Sequence, residues 1–467
     1  MSQTWDCVIA GAGPAGCAAG LVLARAGARV LIIAPEQDPL VHGPGEALPG
    51  AARPLLQSLG LLGLVARAPH LPCYGTVSVW GAPLPHATDA IADPHGPGWH
   101  LDRPRFDADL LAAARDAGAS YRIGRVTAAQ RSGPGWQIAI GDAVVLGTWL
   151  IDASGRRACA TRLALASRTR DDRLVALYAW ARWEAAGAGA DSRTLVEAAP
   201  YGWWYLSPLP AGRCLVALHV DAEEAATMRR TPGSWQNRLA ATRHIAARLG
   251  GTRFPHGPRA TEACGAWLDP CCGPGWVAVG DAALSFDPLS AQGIFTALYT
   301  GMRGAEAVAA GLMGQAGTAG RGGAGVGLSL HAGNSDGDRR VHGQAGFPAV
   351  AGSGRGGRDG DGRDGGRVGG DGDESDGDGG RGGRDRDEGG YGEHYRPTHS
   401  AEGAADLDRD RGDRQLATSR TSPALQAYAA RLQAIRAAYL VHHAAFYRLE
   451  GRWSEQPFWR KRHGPTA

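Results

Sequence analysis

Six residues near the start of the chain, Gly11-Ala12-Gly13-Pro14-Ala15-Gly16, constrain its fold more than any other feature. They follow an apolar run, Cys7 to Ala10, and open a small-residue helix pattern from Cys17 to Ala26. In a strand, turn and helix of this order, Gly11 permits the tight bend, Gly13 lets the backbone approach a pyrophosphate, and Gly16 lets the helix pack closely on the sheet. Pro14 and Ala15 lie at the helix N-terminus, which then faces the phosphates. A second apolar strand, Arg29 to Ile33, follows at the spacing of a βαβ unit, and Glu36 lies twenty residues past Gly16, where a ribose-binding acid is expected. Ala34 takes the place directly at the strand end, so Glu36 is a displaced candidate. A glycine turn alone is weak evidence in a chain with 71 glycines, and its context carries the reading.

A second segment, about 270 residues downstream, supplies what a bare dinucleotide fold lacks. Trp276 to Val279 is a short apolar strand, Gly280-Asp281 ends it, and a helix pattern runs from about Gln292 to Leu312. The Asp281 carboxylate can accept hydrogen bonds from sugar-alcohol hydroxyls such as those of a ribityl chain. The loop Pro288 to Gly293, with Gln292, would aim backbone N–H groups and a helix N-terminus at the pyrimidine edge of a flavin and stabilise the anion formed on reduction. An ordinary Asp-capped turn is the rival reading, and it does not account for both halves in this order. Together the two segments read as a site for FAD.

Further stretches are Gly45-Glu46-Ala47-Leu48-Pro49, Gly98-Trp99-His100-Leu101-Asp102-Arg103 with Phe106-Asp107, Asp152-Ala153-Ser154-Gly155-Arg156, and Gly202-Trp203-Trp204-Tyr205. With the two FAD segments they resemble the FAD-dependent monooxygenases of the para-hydroxybenzoate hydroxylase fold, in the branch shared with flavin-dependent tryptophan halogenases. Arg452-Trp453 with Pro457-Phe458-Trp459 resembles the C-terminal ending of a subgroup whose members mature quinone-cofactor enzymes by hydroxylating a peptidyl tryptophan. The resemblance covers residues 1 to about 313 and 422 to 467. It implies an α/β fold: a Rossmann-like, glutathione reductase-like FAD-binding domain (1–72, 98–165 and 262–313), a mixed β-sheet substrate domain (73–97 and 166–261), and a C-terminal helical segment (422–467).

Halogenases of this branch use a lysine beside a tunnel from the flavin, placed in the first hundred or so residues. This chain has one lysine, Lys461. A GC-rich composition explains part of that scarcity, yet arginine, always protonated and differently shaped, cannot take over the role. The Trp-x-Trp-x-Ile-Pro signature is also altered, since Trp203 to Pro208 keeps only the first tryptophan and the proline. The resemblance therefore implies a monooxygenase acting on an aromatic or indole-like group through a flavin C4a-hydroperoxide, with a tryptophan-containing protein as one possible substrate. A halogenase, a flavin-dependent reductase or desaturase, and a non-catalytic FAD-binding partner stand as alternatives. No second glycine turn offers NAD(P)H a domain of its own, so electrons must come from NAD(P)H visiting the flavin or from a separate flavin reductase.

In such an enzyme the protein contributes orientation and dryness rather than covalent chemistry, so no catalytic residue can be named from sequence. Trp203, Trp204 and Tyr205 are candidates for a pocket wall over the flavin, against a reading as ordinary strand residues. The resemblance places Arg103 near the FAD phosphates. Glu46 either positions a flavin edge or caps a helix beginning near Gly50. His100 and His219 could relay protons, although a lone histidine is more often structural.

With 467 residues, 43% of them hydrophobic, the chain can bury a large two-domain core. A net charge of +3 marks neither a nucleic-acid binder nor a membrane-surface protein. No apolar run long enough for a membrane span and no signal peptide are present, which implies a cytoplasmic location. Eight cysteines without ligand spacing read as free thiols, and no metal site is expected. Residues 314–421, rich in Gly, Arg and Asp, have too few apolar residues for a core and are expected to be a disordered insert, either a linker or the product of repeat expansion or a frame error. Their 15 arginines against 19 acids leave no cationic field for RNA. Ser422-Pro423 then starts a helix with an apolar stripe of Leu425, Tyr428, Leu432, Ile435, Tyr439, Phe446 and Leu449, expected to dock on the rest of the protein.

Overall fold

The computed structural model describes residues 4–36, 44–67, 69–163, 165–183, 191–319 and 422–464, so the expected 314–421 insert lies almost wholly outside the described residues. The Thr4–Ala10 strand is fully buried from Cys7 onward because it lies mid-sheet with both faces covered. It pairs in parallel with Val30–Ala34 on one side and Ala143–Asp152 on the other. Ser120–Ile123 and Trp276–Ala278 extend these two flanks in parallel. An antiparallel arm, Val126–Ser132 and Gly135–Ile140, folds onto the 143–152 strand. The Pro14–Arg25 helix has no polar face over its first turns because it is sandwiched between this sheet and the long Gly293–Ala319 helix. Small residues make the sandwich possible: a Cβ on Gly20 would strike the Ile32 side chain of the sheet, and one on Gly301 of the long helix would strike the Ala15 carbonyl oxygen.

A seven-stranded sheet forms the second layer system, in the order Arg259–Glu262, Leu174–Arg182, Arg213–Asp221, Gly202–Leu209, Thr194–Ala199, Gly75–Val79, His86–Asp89. It is mixed: Thr194–Ala199 and Gly75–Val79 run parallel and the other neighbours antiparallel. One face packs under three short helices, Ala222–Arg230, Ser234–Ala240 and His244–Leu249, through Trp204, Trp235, Leu218 and Ile245. Buried Glu197 caps the last of them, accepting from the amides of Arg243, His244 and Ile245 at 2.8, 3.0 and 2.8 Å.

The C-terminal helix runs over Pro423–Arg448, with Ser422 accepting from the Leu425 amide at its start. Its stripe behaves as the spacing requires from Leu425 to Phe446. Leu449, counted in that stripe, is the C-cap and 45% exposed, because the helix has ended and the 3.6-residue repeat no longer applies. Two tyrosines fasten the helix: Tyr428 donates to the Ala278 carbonyl at 2.7 Å, and Tyr439 accepts from the Asp287 amide at 3.0 Å. A final short helix, Pro457–His463, buries Phe458 and Trp459 against the second sheet. No helix among the described residues is long and apolar enough to cross a membrane.

Candidate active site

The glycine turn is shaped to hold an anion. Gly11 sits at φ +127°, and a Cβ there would lie 2.2 Å from the Ala153 carbonyl oxygen, so only glycine fits. Gly13 differs: a Cβ at that position meets nothing within 4 Å, so open space stands over the helix N-terminus. No side chain caps that helix, which leaves its first amides for a phosphate. Glu36 is exposed two residues beyond the neighbouring strand's end. Arg103, the first residue of the Arg103–Asp116 helix, pairs with Asp107 at 3.0 Å and donates to the Gly45 carbonyl. Its buried Nε meets no acceptor among the described residues, and a buried donor of this kind suits a cofactor oxygen.

On the other side, a turn over Gly280–Ala282 carries Asp281 and is pinned to the long helix by the Gly280 amide donating to Thr300 Oγ1 at 2.8 Å. Asp281 is one-third exposed, 3.5 Å from Arg156 Nε, and free to accept from hydroxyls. The following loop turns over Pro288–Ser290, and Ala291 adopts a left-handed φ of 51° before Gln292 and the helix start at Gly293. A non-glycine residue in that region marks local strain, of the kind that concentrates at ligand clamps. The loop is braced by Asp287, which is 2% exposed and accepts from the Leu289 amide at 2.9 Å, Tyr447 Oη at 2.8 Å and His443 Nε2 at 3.2 Å. Burial alone would raise its pKa, but His443, the Leu289 amide and Tyr447 hold it below the usual carboxylate value.

Between this loop and the second sheet lies a cavity of about 1010 Å³. Pro288, Leu289 and Gln292 form one wall, Trp203 and Tyr205 a second, and Ala427, Ile435 and Tyr439 of the C-terminal helix a third. Trp204, grouped with its neighbours as a pocket wall, is not there. Alternation along the Gly202–Leu209 strand sends it to the opposite face, beside Trp235 at 5.5 Å. Glu46 does not cap the Gly50 turn, which has no side-chain cap. Instead its buried carboxylate accepts from Tyr205 Oη and from the Gly45 amide, both at 2.9 Å, and so ties the 45–49 turn to the pocket wall. Burial, with Glu46 adjacent, drives the Tyr205 pKa well up and keeps the phenol protonated.

Neither histidine singled out is placed as a free relay. His100 is fully buried, with Nε2 on the Ser192 carbonyl at 2.8 Å and Nδ1 on Ser207 Oγ at 2.9 Å. His219 stacks on Trp203 at 3.6 Å and 9°, and burial lowers its pKa to about 4, so it is neutral. Sequence reasoning missed Cys73, a cavity-lining thiol: burial would raise it, but His100 brings it to about 7. It also missed Asp287, His443 and Tyr447 as a group. Only the Asp287-Pro288 step inside the FAD segment hinted at the first, and the other two lie about 160 residues away.

The fold and this site define an FAD-binding oxidoreductase. The FAD binding domain profile matches residues 4–131 and the tryptophan halogenase profile residues 80–316. The chain thus belongs to the tryptophan halogenase family of flavoproteins. A putative FAD-dependent oxidoreductase, LodB of Marinomonas mediterranea, is 28% identical over 317 residues, covering 66% of this chain and 85% of that one. Flavin-dependent halogenase armH3 of Armillaria mellea is 26% identical over 365 residues, 66% of this chain and 68% of its own. Among solved structures, the peptidyl tryptophan dihydroxylase QhpG shares the fold at 21% identity with a TM-score of 0.59, over 99% of this chain and 79% of that one. The flavin-dependent brominase Bmp2 gives a TM-score of 0.60 at 24% identity over 67% and 80%.

Proposed function

We propose that the protein is an FAD-dependent monooxygenase that hydroxylates an indole-like aromatic group, with a tryptophan side chain of a protein as its substrate. The observation that carries this reading is the cavity itself. It joins the flavin loop to an aromatic wall, and no lysine lines it; Lys461, the chain's one lysine, is 60% exposed and pairs with Asp221 at 2.8 Å. A lysine-dependent passage of hypohalous acid has no donor here. The likeness to QhpG extends through the C-terminal segment, which favours a protein substrate over a free indole.

In this reading residues 1–72, 98–165 and 262–313 hold the cofactor, and 73–97 with 166–261 hold the substrate. Gly11, Gly13, Pro14, Ala15 and Gly16 cradle the pyrophosphate, Arg103 neutralises it, Glu36 takes a ribose hydroxyl and Asp281 the ribityl chain. Gly280, Pro288, Gln292 and Gly293 face the flavin edge. When bound and reduced, FAD supplies the activation of O2. Glu46 fixes the protonated Tyr205 hydroxyl, and Trp203 and Tyr205 present flat apolar faces that orient an aromatic substrate and exclude water. Electrons come from NAD(P)H or a separate reductase.

The family's halogenases make halogenation the second reading, and one experiment separates the two. Reduced, FAD-loaded protein is mixed with isotopically heavy O2, a tryptophan-containing peptide and chloride or bromide, and the peptide is weighed by mass spectrometry. The expected product carries heavy oxygen and is indifferent to halide. A halogenated peptide, formed only with halide present, overturns the proposal.

A further inference from the structure

Apart from Trp203, the aromatic side chains where the C-terminal segment meets the second sheet have no part in the proposed reaction. Trp203 reaches the cavity, and its Nε1 donates to Tyr447 Oη at 3.0 Å. Trp80 lies 6.4 Å from Trp203, 5.7 Å from Tyr447 and 5.2 Å from Trp459, centroid to centroid. Trp459 lies 5.9 Å from Tyr447 and 6.2 Å from Trp453, which is only partly buried. An unbroken series of easily oxidised rings thus runs from the cavity wall to solvent.

Ordinary core packing explains why the rings touch and why their N–H groups are satisfied, but not the carboxylate set against Tyr447. Every indole N–H along the buried part is engaged, Trp80 to the Phe446 carbonyl and Trp459 to the Ala199 carbonyl, each at 2.9 Å. Tyr447 has a buried proton acceptor, the Asp287 carboxylate at 2.8 Å. A phenol gives up an electron far more readily when its proton can leave at the same moment. The ring stacked on Trp203 is the neutral His219, while Arg462 lies 5.6 Å from the Tyr447 ring and Arg452 4.3 Å over Trp453, cations that make those two rings harder to oxidise than Trp203.

We propose that these rings are a path for single electrons, by which an oxidation begun at the cavity wall is carried to Trp453 instead of destroying the pocket. Hydrogen peroxide, formed in the cavity when O2 is reduced without substrate, takes two electrons from Trp203 one at a time and, with two protons from solvent, leaves as two waters. Trp203 is refilled from Trp80 or from Tyr447, and Tyr447 passes its phenolic proton to Asp287 Oδ2 as its electron leaves. When Trp459 returns an electron to Tyr447, the proton comes back. Trp453 refills Trp459 and is itself restored by soluble thiol: over two such events two thiols each release one electron and one proton, and their sulfurs join as a disulfide. Such a path serves an enzyme that makes an oxidant in the absence of substrate, and to that extent its purpose rests on the oxygenase reading.

The path can be tested without that reading. FAD-loaded protein, free of O2, is excited with a blue flash, which withdraws one electron from the nearest ring whatever the natural reaction. The absorbance of tryptophan and tyrosine radicals is followed with and without added thiol. The expected result is a radical whose decay quickens with thiol concentration, a dependence lost in Trp453→Phe, and a tyrosyl contribution lost in Tyr447→Phe. No aromatic radical, or a thiol dependence unchanged by Trp453→Phe, overturns the proposal. Bound flavin is measured first in each protein, so loss of cofactor is not mistaken for loss of the path; should Trp453→Phe lose flavin, Trp453→Leu replaces it with the same two outcomes.

Discussion

His219 is one side chain through which acid should weaken this fold. Its imidazole is 3% exposed, and its Nδ1 has no hydrogen-bond partner among the described residues. Burial depresses its pKa to about 4, with the nearby Asp287 charge and the Trp203 backbone only partly opposing that shift. In the unfolded chain a histidine titrates near 6.5. Above that value neither state is protonated, and the stabilisation is intact. As pH falls from about 6.5 toward 4 the unfolded state takes up the proton first, so stability is lost through that window. The difference amounts to about 2 kcal/mol at pH 5 and about 3 kcal/mol at pH 4. Urea unfolding of the wild type and His219→Phe, at about pH 7 and pH 5, isolates this contribution, because Phe keeps a ring on Trp203 and every other acid-sensitive group is common to both. The variant should lose about 2 kcal/mol less than the wild type over that interval. Equal losses in the two proteins would refute the account of His219 as a buried neutral base.

Other positions give sharper yes-or-no outcomes. Gly11→Ala forces a Cβ to within 2.2 Å of the Ala153 carbonyl oxygen and should yield protein without the visible flavin spectrum. Trp204→Ala should cost about 3–5 kcal/mol of stability, read by denaturant midpoint, while leaving KM for the aromatic substrate near the wild-type value, because Trp204 faces the helices and not the cavity. Asp287→Ala strands the Leu289 amide and the Tyr447 hydroxyl and should cost about 3 kcal/mol or more in the same assay, with weakened flavin affinity. Lys461→Arg keeps the Asp221 ion pair and should leave product formation unchanged, which a lysine-dependent reaction would not tolerate.

The cofactor half of the molecule was legible because its chemistry is local. A glycine whose Cβ would strike a carbonyl, and an aspartate at a strand end, are written into six or seven consecutive residues and need no knowledge of distant parts. The C-terminal helix was legible for a similar reason, since Leu425 to Phe446 repeat with the helical period. What escaped depends on pairs far apart in the chain. For Glu46 the sequence leaves a flavin-edge role and a helix cap open, because its partner Tyr205 lies 159 residues on. Alternation separates Trp204 from Trp203 and Tyr205 once the strand is known, but which of the two faces meets the cavity is not written in the sequence. Cys73 is one thiol among eight, and only its position beside His100 and Thr194 distinguishes it.

Whether this flavoprotein activates oxygen for transfer can be read from the flavin spectrum when the FAD-loaded protein is reduced without O2 and then mixed rapidly with O2. The expected result is an oxygen adduct of the flavin that persists until an indole or a tryptophan-containing peptide is added and then decays with formation of hydroxylated product. Direct return to oxidised flavin, with no adduct and no product, would contradict it and favour a reductase or desaturase.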